Sequence, residues 1–585
     1  MNENFTERQH EKEKNEAVKY VSGLIKSAKE KNQTTDILQL EEVLRLLNTK
    51  KYGLVWEKHT EKIEEEIRKN VPIFKEDCER KIVYDSYLDN FNFILEGDNL
   101  HSLYLLEKTH ANAIDMIYID PPYNTRKKDF VYNDKYIDYT NEYAHSKWLS
   151  FLSIRLELAK KLLKDNGFIF ISIDDREQSQ LKLLCNEIFG EENFVSMLVV
   201  ENNPKGRKNS SFVSGTHEYC LVYAKNKSKS YFIENVPKDS KSMTKDIDGI
   251  YVHNSGKRVL VGENEFNPNV ENFDSEKHYS VYYNEQNDDL ITKKEDKKTD
   301  IDQTLITDGY KRYISFNSNG LIYNTYTANK LKELHRSKKL DFKNEKIYEK
   351  NTRDTIRMKS LLVNKKYRAI VDNQEVDFEL DLKTTSAKQS LAEIIGKGKF
   401  SFPKNVSFIK HLISLIDNKN ITVLDFFAGS GTTGEAVQKL NQEDGGNRNY
   451  ILCTNNENKI SEEVTYERMK NIQTTLPHNL KYFKCDFIEK EKFPDVELEY
   501  EILNHVIPLV ELEFLIDIKN PKIEVVKDDN QLDYLFSKKT PELISHIFIH
   551  PDIFLSEYQK QKLIDLDISV VEIPSYYFGK EMWSR

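Results

Sequence analysis

Two stretches of this chain, about 90–225 and 405–475, alternate short apolar runs with amphipathic helical segments, and that alternation limits the fold more than any other feature. In the first stretch the strand candidates are Phe93-Ile94-Leu95, Ile114–Ile119, Phe168–Ile173 and Tyr219–Tyr223. A long amphipathic helix, Glu142–Lys164, precedes Asn166-Gly167. In the second, helix Val406–Ile416 leads to strand Thr422–Phe427, a glycine turn, helix Thr432–Leu440, strand Tyr450–Cys453 and helix Ser461–Gln473. Each stretch alone is too small for a doubly wound domain. Together they hold enough strands, and the helices supply the crossovers that parallel strands require. The expected fold is therefore α/β, one parallel sheet interrupted by an insertion.

The segment between the two stretches, 230–390, is rich in Asn, Lys, Asp, Ser and Tyr. It carries turn dipeptides such as Asp308-Gly309 and Asn319-Gly320, which predict an inserted β or mixed domain. Residues 1 to about 85 are polar and helix-like; in Asp36–Leu47 the apolar residues fall at helical spacing. The tail from 486 is acidic and α/β-like.

At 585 residues the chain exceeds one core, and two to four domains are expected. No run of about twenty apolar residues predicts a membrane span, and the start lacks a signal-peptide apolar core. The five cysteines form no CxxC pair, so reduced thiols in a cytoplasmic protein are expected rather than disulfides or zinc. The net charge of −10 argues against a nucleic-acid partner only until its distribution is read. From Asp486 to Arg585 there are 21 acids and 11 bases, which accounts for the whole deficit. Residues 201–410 hold 38 bases against 30 acids, and Lys330–Arg368 holds 14 against 5. A local basic stretch can contact phosphates whatever the total charge, although a solvated lysine-rich face has the same composition.

Three strand ends carry candidate chemistry. Asp120-Pro121-Pro122-Tyr123 directly follows the apolar run Ile114–Ile119. An acid, two prolines and an aromatic at that position suit the holding of a flat, amine-bearing ring at the mouth of a sheet. Asp425-Phe426-Phe427-Ala428-Gly429-Ser430-Gly431-Thr432-Thr433-Gly434 joins a strand to a helix through glycines. Such a turn lets a ligand approach the backbone and the positive helix end. It lacks the lysine of a triphosphate-binding loop and the full dinucleotide spacing, and fits a cofactor with a carboxylate, an amine and an adenosine. Glu457, after the next strand, is a candidate acceptor for ribose hydroxyls, or an acid preceding the helix at Ser461. Asp98, in Glu96-Gly97-Asp98-Asn99-Leu100, is either an acceptor for an adenine amine or a helix cap. His217-Glu218-Tyr219 lacks a second histidine at metal spacing and reads as a strand start, so no metal site is expected.

The strand-end Asp120-Pro121-Pro122-Tyr123, the upstream Gly97-Asp98-Asn99 and the downstream glycine turn resemble the amino-methyltransferases of DNA, in the order of their β class. Lys50–Trp56, Asp120–Thr125, Gly167–Glu177 and Thr454–Asn458 are similar to the Mod subunits of type III restriction–modification systems. The resemblance covers about 40–230 and 395–475 and fades elsewhere. It implies a circularly permuted, Rossmann-like sheet that uses S-adenosylmethionine, with a target-recognition insertion. The implied divisions are a helical N-terminal region (1–85), a catalytic half (86–229), a target-recognition domain (230–395), a cofactor half (396–485) and a C-terminal assembly or partner-binding domain (486–585).

The resemblance further implies site-specific methylation of adenine N6 in double-stranded DNA, a homodimer, and a partner helicase–nuclease (Res) subunit. Its catalytic residues would be Asp120, Pro121, Pro122 and Tyr123. Its cofactor residues would be Asp98, Asp120, Asp425, Phe427, Gly429, Ser430, Gly431, Thr432, Thr433 and Glu457, with Lys404. The segment Phe402-Pro403-Lys404-Asn405 stands where many relatives have Lys-Pro before the helix. In this reading the Asp120 carboxylate and the Pro121 carbonyl accept the two amine hydrogens, the prolines fix the backbone, and Tyr123 stacks on a base rotated out of the duplex. Cytosine N4 methylation, a methyltransferase without nuclease partner, and a non-catalytic specificity subunit are the alternatives.

Overall fold

The computed structural model describes residues 9–30, 39–40, 43–44, 56–85, 90–125, 127–132, 135–138, 143–206, 212–246, 249–253, 257–493, 495–538 and 544–579. The chain divides into two compact units, Met1–Glu57 and Lys58–Arg585. The first contains the helix Gln9–Glu30. Most of the helix expected over Asp36–Leu47, and all of Lys50–Trp56 except Trp56, lies outside the described residues.

The second unit is organised by a ten-stranded sheet. Its strands in chain order are β1 (Asn70–Glu76), β2 (Phe91–Glu96), β3 (Ile114–Ile119), β4 (Leu163–Ile173), β5 (Phe194–Val200), β6 (Glu218–Ala224), β7 (Leu361–Leu362), β8 (Thr422–Asp425), β9 (Asn449–Thr454) and β10 (Asn479–Glu489). In space they run β1-β10-β2-β9-β8-β3-β4-β6-β5-β7. The six strands from β10 to β4 are mutually parallel; β1 and β6 run the other way. The expected single sheet, split by an insertion, is what the chain forms.

The strand carrying the glycine turn is central although it comes late in sequence. Val423 and Leu424 of β8 pair with Met116 and Ile117 of β3. From β8 the chain crosses through helix α5 (Thr432–Asp444) to β9 on one side; from β3 it crosses through helix α2 (Ala144–Leu162) to β4 on the other. The β8–β3 boundary is thus a topological switch point, where a crevice opens at the carboxyl ends of the strands. Helices α1 (Asn99–Thr109) and α3 (Gln178–Phe189) follow β2 and β4, and α4 (Val406–Ile413) precedes β8. Apolar side chains such as Ile94, Met116, Phe170, Leu424 and Leu452 are fully buried, as strands covered on both faces require.

Several boundaries differ from the sequence expectation. Helix α2 stops at Leu162, and Asn166-Gly167 lies inside β4 rather than before it, beside a register shift opposite Ile114 and Met116. A Cβ on Gly167 would lie 3.0 Å from the Ile114 carbonyl oxygen, so a glycine admits this close approach. The region Ser461–Asn471 begins as a π-helical segment, Ser461–Tyr466, before turning α. Residues 70–76, expected to belong to a helical region, form edge strand β1, where Pro72 is tolerated.

Between β6 and α4 the chain leaves the main sheet except for β7. It forms small antiparallel sheets and short helices, with a core that includes Val281, Leu331 and Ile347 and a face-to-face Tyr283–Phe342 stack at 3.7 Å. Ser318-Asn319 forms the turn of one of its hairpins, and Gly320 opens the returning strand opposite Asn317. The tail includes three parallel strands, Ile523–Val526, His546–Ile549 and Ser569–Glu572, around a separate apolar cluster. No helix among the described residues is long and apolar enough to cross a membrane.

Candidate active site

The carboxyl ends of β2, β3, β8 and β9 meet, and three of the sequence motifs meet with them. At the end of β2, Asp98 caps α1: its Oδ1 accepts the Leu100 N–H at 2.8 Å and an Arg155 Nη2 donor at 3.1 Å. Arg155 is fully buried and also donates to Glu61, to Asn99 Oδ1 and to the Phe151 carbonyl. Asn99 then donates through Nδ2 to the Phe426 carbonyl at 2.8 Å, joining this strand end to the glycine turn. Helix capping, one of the two readings open for Asp98, accounts for one of its oxygens; its side chain is 40% exposed.

The glycine turn is braced from beneath. Asp425, buried, accepts the Phe427 N–H at 3.0 Å and the Thr433 hydroxyl at 2.5 Å. Burial pushes its carboxyl up to about 7. Arg468 donates to the Ser430 carbonyl at 2.9 Å and to the Thr432 hydroxyl at 2.9 Å, and pairs with Glu435 at 2.7 Å. The Thr465 hydroxyl donates to the Gly429 carbonyl at 2.6 Å. Asp425, Thr433 and much of Ser430 and Thr432 therefore spend their polar atoms on the shape of the turn.

The turn's upper surface is open backbone. Gly431 is the N-cap of α5 with φ +74°, and no side chain caps that helix end. A Cβ at Gly431 would lie 3.3 Å from Thr465 Cγ2, and one at Gly429 (φ +48°) 3.4 Å from the Phe400 ring. This uncapped, glycine-lined helix start fits a ligand carboxylate approaching the free backbone N–H groups. Phe427 packs against Phe151 with the rings tilted and their centroids 5.8 Å apart, and Glu457 is exposed just past β9. If this turn holds the cofactor, Gly431→Val, which strains a left-handed residue by about 1–3 kcal/mol and so shifts the turn's backbone out of its binding shape, is expected to raise the cofactor dissociation constant about 10- to 100-fold. Isothermal titration with S-adenosylmethionine measures it; unaltered affinity would detach this turn from the cofactor.

At the end of β3 the Asp120 carboxylate meets two side chains, Tyr123 and Lys404. Its Oδ1 accepts the Tyr123 hydroxyl at 2.8 Å and lies 3.3 Å from the Lys404 ammonium. Lys404 Nζ is 2.6 Å from the Tyr123 oxygen and donates to Glu218 Oε1 at 2.7 Å. Glu218, first residue of β6, is 8% exposed and Lys404 14%. Burial raises the Asp120 carboxyl, against the lowering pull of Lys404. Burial lowers Lys404, but Asp120 and Glu218 outweigh it and hold the ammonium above its usual range. Lys404, expected at the cofactor carboxylate, thus has its charge on the acid–proline strand end; only its backbone carbonyl reaches the turn, accepting from Thr432 at 3.4 Å.

The loop after Tyr123 is anchored by residues that sequence reading left without a role. The fully buried Trp148 indole donates to the Pro122 carbonyl at 2.7 Å. Asn124, with φ +53°, donates to Glu177 at 2.6 Å and to the Ala144 carbonyl at 3.3 Å, and His145 Nδ1 lies 2.7 Å from the same Glu177 oxygen. Glu218 was passed over as a strand start. The available signal was an acid opening an apolar strand, a costly choice unless it is paired. Among the described residues no cluster of His, Cys, Asp and Glu could hold a metal ion.

Residues 114–465 match a DNA methylase family. The EcoPI Mod subunit of a type III restriction–modification enzyme, from Escherichia phage P1, is 34% identical over 393 residues, which are 63% of this chain and 58% of that protein. The StyLTI Mod subunit of Salmonella typhimurium is 31% identical over 434 residues, 69% of this chain and 59% of that protein. The type II methyltransferase M.KpnI of Klebsiella pneumoniae is 31% identical over 416 residues, 67% of this chain and 90% of that protein. The matches thus span less than three fifths of the two Mod subunits and nine tenths of M.KpnI. The chain belongs to the DNA methylase family, and its relatives include the Mod subunits of type III restriction–modification enzymes.

Proposed function

We propose that this protein transfers a methyl group from S-adenosylmethionine to adenine N6 of a base rotated out of DNA, as the modification and recognition subunit of a type III system. The observation that carries this reading is the adjacency, across paired strands β3 and β8, of Asp120-Pro121-Pro122-Tyr123 and the open glycine turn. The turn, with Phe427, Gly429 and Gly431, would hold the cofactor, with Asp98 and Glu457 towards its adenosine; when bound, the cofactor supplies an electrophilic methyl group. Asp425 and Thr433 act by holding the turn in shape.

An exocyclic amine is a weak nucleophile because its lone pair is shared with the ring. Asp120 and the Pro121 carbonyl accept its two hydrogens, and both bonds strengthen as the nitrogen becomes tetrahedral and positive. Trp148, by holding the Pro122 carbonyl, fixes the rigid pair of prolines. Tyr123 presents its ring for stacking while its hydroxyl is tied to Asp120.

The insertion is the candidate target-recognition domain. Many bases of Lys330–Arg368 have carboxylate partners, among them Lys330 with Glu333, Lys338 with Asp288 and Lys366 with Glu379. Exposed pairs of this kind contribute little, so phosphates can compete for these cations. The Mod resemblance adds a homodimer and a helicase–nuclease partner. The coverage of M.KpnI, a type II enzyme, favours a second reading, a methyltransferase that acts without a nuclease partner.

Incubation with unmethylated DNA and tritium-labelled S-adenosylmethionine, followed by digestion to nucleosides, tests the reading. The expected product is N6-methyladenine. N4-methylcytosine would overturn the choice of base, and DNA binding without label would leave a specificity subunit. Single-molecule sequencing of the methylated DNA reads the site and the strand.

A further inference from the structure

The Asp120 cluster holds one more carboxylate than amine capture requires. Glu218 comes from β6, on the far side of β4 from Asp120, and it reaches the same two groups, Lys404 and Tyr123. Lys404 lies closer to Glu218, at 2.7 Å, than to Asp120, at 3.3 Å. The Tyr123 hydroxyl sits between the two carboxylates, 2.8 Å from Asp120 and 3.4 Å from Glu218. A lone lysine beside the amine acceptor would be a difficulty. An ammonium placed fully on Asp120 would occupy the lone pairs that the target amine must use.

We propose that Glu218 is a positioning residue for methyl transfer: it draws the Lys404 ammonium towards itself, so that the Asp120 carboxylate stays charged yet available to the target amine. The inference rests on the reading of Asp120 as amine acceptor. Lys404 in turn allows the buried Glu218 and the partly exposed Asp120 carboxylates to coexist, since like charges this close oppose each other's ionisation. The other titratable groups around the cluster are Tyr118 on β3, Cys220 on β6 and Asp425 on β8. Burial pushes Tyr118 and Cys220 well up and keeps them neutral at physiological pH, and it raises Asp425 to about 7. Tyr118 is also tied to Ser172 at 2.8 Å. Lys404 and Glu218, the two charges nearest Asp120, set its state on the acidic side, and Asp425 adds a negative charge only as the pH rises through about 7.

The two single variants therefore act in opposite directions on the acidic limb of the kcat/KM profile, where Asp120 must lose its proton. In Glu218→Gln a negative charge is removed and Lys404 moves onto Asp120. The Asp120 pKa falls and the limb moves to lower pH, by about one unit, while kcat drops about 10-fold because the acceptor is occupied. In Lys404→Met the positive charge is removed and the two carboxylates repel. The Asp120 pKa rises and the limb moves to higher pH by about one unit. The double variant Glu218→Gln/Lys404→Met returns the limb towards its original position and has a higher kcat than Glu218→Gln alone.

The experiment measures transfer of tritium from S-adenosylmethionine to unmethylated DNA by the full chain across pH, with folding checked by circular dichroism. Opposite shifts with mutual rescue support the inference. Losses that simply multiply in the double variant, with the limb unmoved in both singles, would overturn it and reduce Glu218 to a packing role. Absence of transfer by the unaltered protein would instead remove the proposed function.

Discussion

Asp120→Ala is expected to lower kcat for methyl transfer by at least about 10²- to 10³-fold, the usual loss when one preorganised partner of developing charge is removed. The loss should fall on kcat and kcat/KM together, because the interaction is made most strongly in the transition state. The fold should survive, since the Lys404 ammonium keeps its 2.7 Å bond to Glu218 and no buried charge is orphaned. The glycine turn is not touched, so S-adenosylmethionine should still bind, which calorimetry can follow alongside the tritium assay. Asp120→Asn should fall between alanine and the original residue, because the amide retains one acceptor oxygen but not the negative charge. Wild-type turnover in Asp120→Ala would move the amine acceptor elsewhere.

The parts of this molecule legible in its sequence are those whose signal is local. Strand ends followed by Asp-Pro-Pro-Tyr or by a glycine turn declare themselves within ten residues, and both lie at the sheet's carboxyl edge. The capping alternative for Asp98 was legible for the same reason, since an Asp two residues before an apolar helical run is a local pattern. Edge strand β1 was not legible, because Pro72 and its polar surroundings mask a strand stabilised by pairing with β10, about four hundred residues away in sequence. Strand β5 carries the apolar run Met197-Leu198-Val199-Val200, but a run of four does not by itself separate a strand from a helical segment. The site's second layer was hidden more deeply. Lys404 and Tyr123 are 281 residues apart and Lys404 and Glu218 186, so nothing in either neighbourhood announces the meeting. Charged residues at strand and helix starts are ordinary at the surface. Only folding reveals that these are buried and must satisfy one another.

Arg468→Met should give the largest loss of stability among single changes near the turn. Arg468 and Glu435 are each 2% exposed and paired at 2.7 Å. Removing one member of such a pair costs about 3–5 kcal/mol, chiefly because the other charge is left in a dry site. Glu435 retains Lys439 at 2.7 Å, which places the expected loss at the lower end of that range. Because a chain of several cores does not unfold in one step, the readout is the calorimetric transition of the main sheet, whose midpoint should fall by several degrees. A second substitution separates the two roles of Arg468. In Arg468→Met/Glu435→Met no buried charge is orphaned, and packed apolar groups of similar size should recover most of the stability. The bonds from Arg468 to the Ser430 carbonyl and the Thr432 hydroxyl stay lost. Cofactor affinity should therefore remain weakened in the double variant while its melting transition recovers. If affinity and stability recover together, the guanidinium supports the fold alone and the glycine turn holds its shape without it.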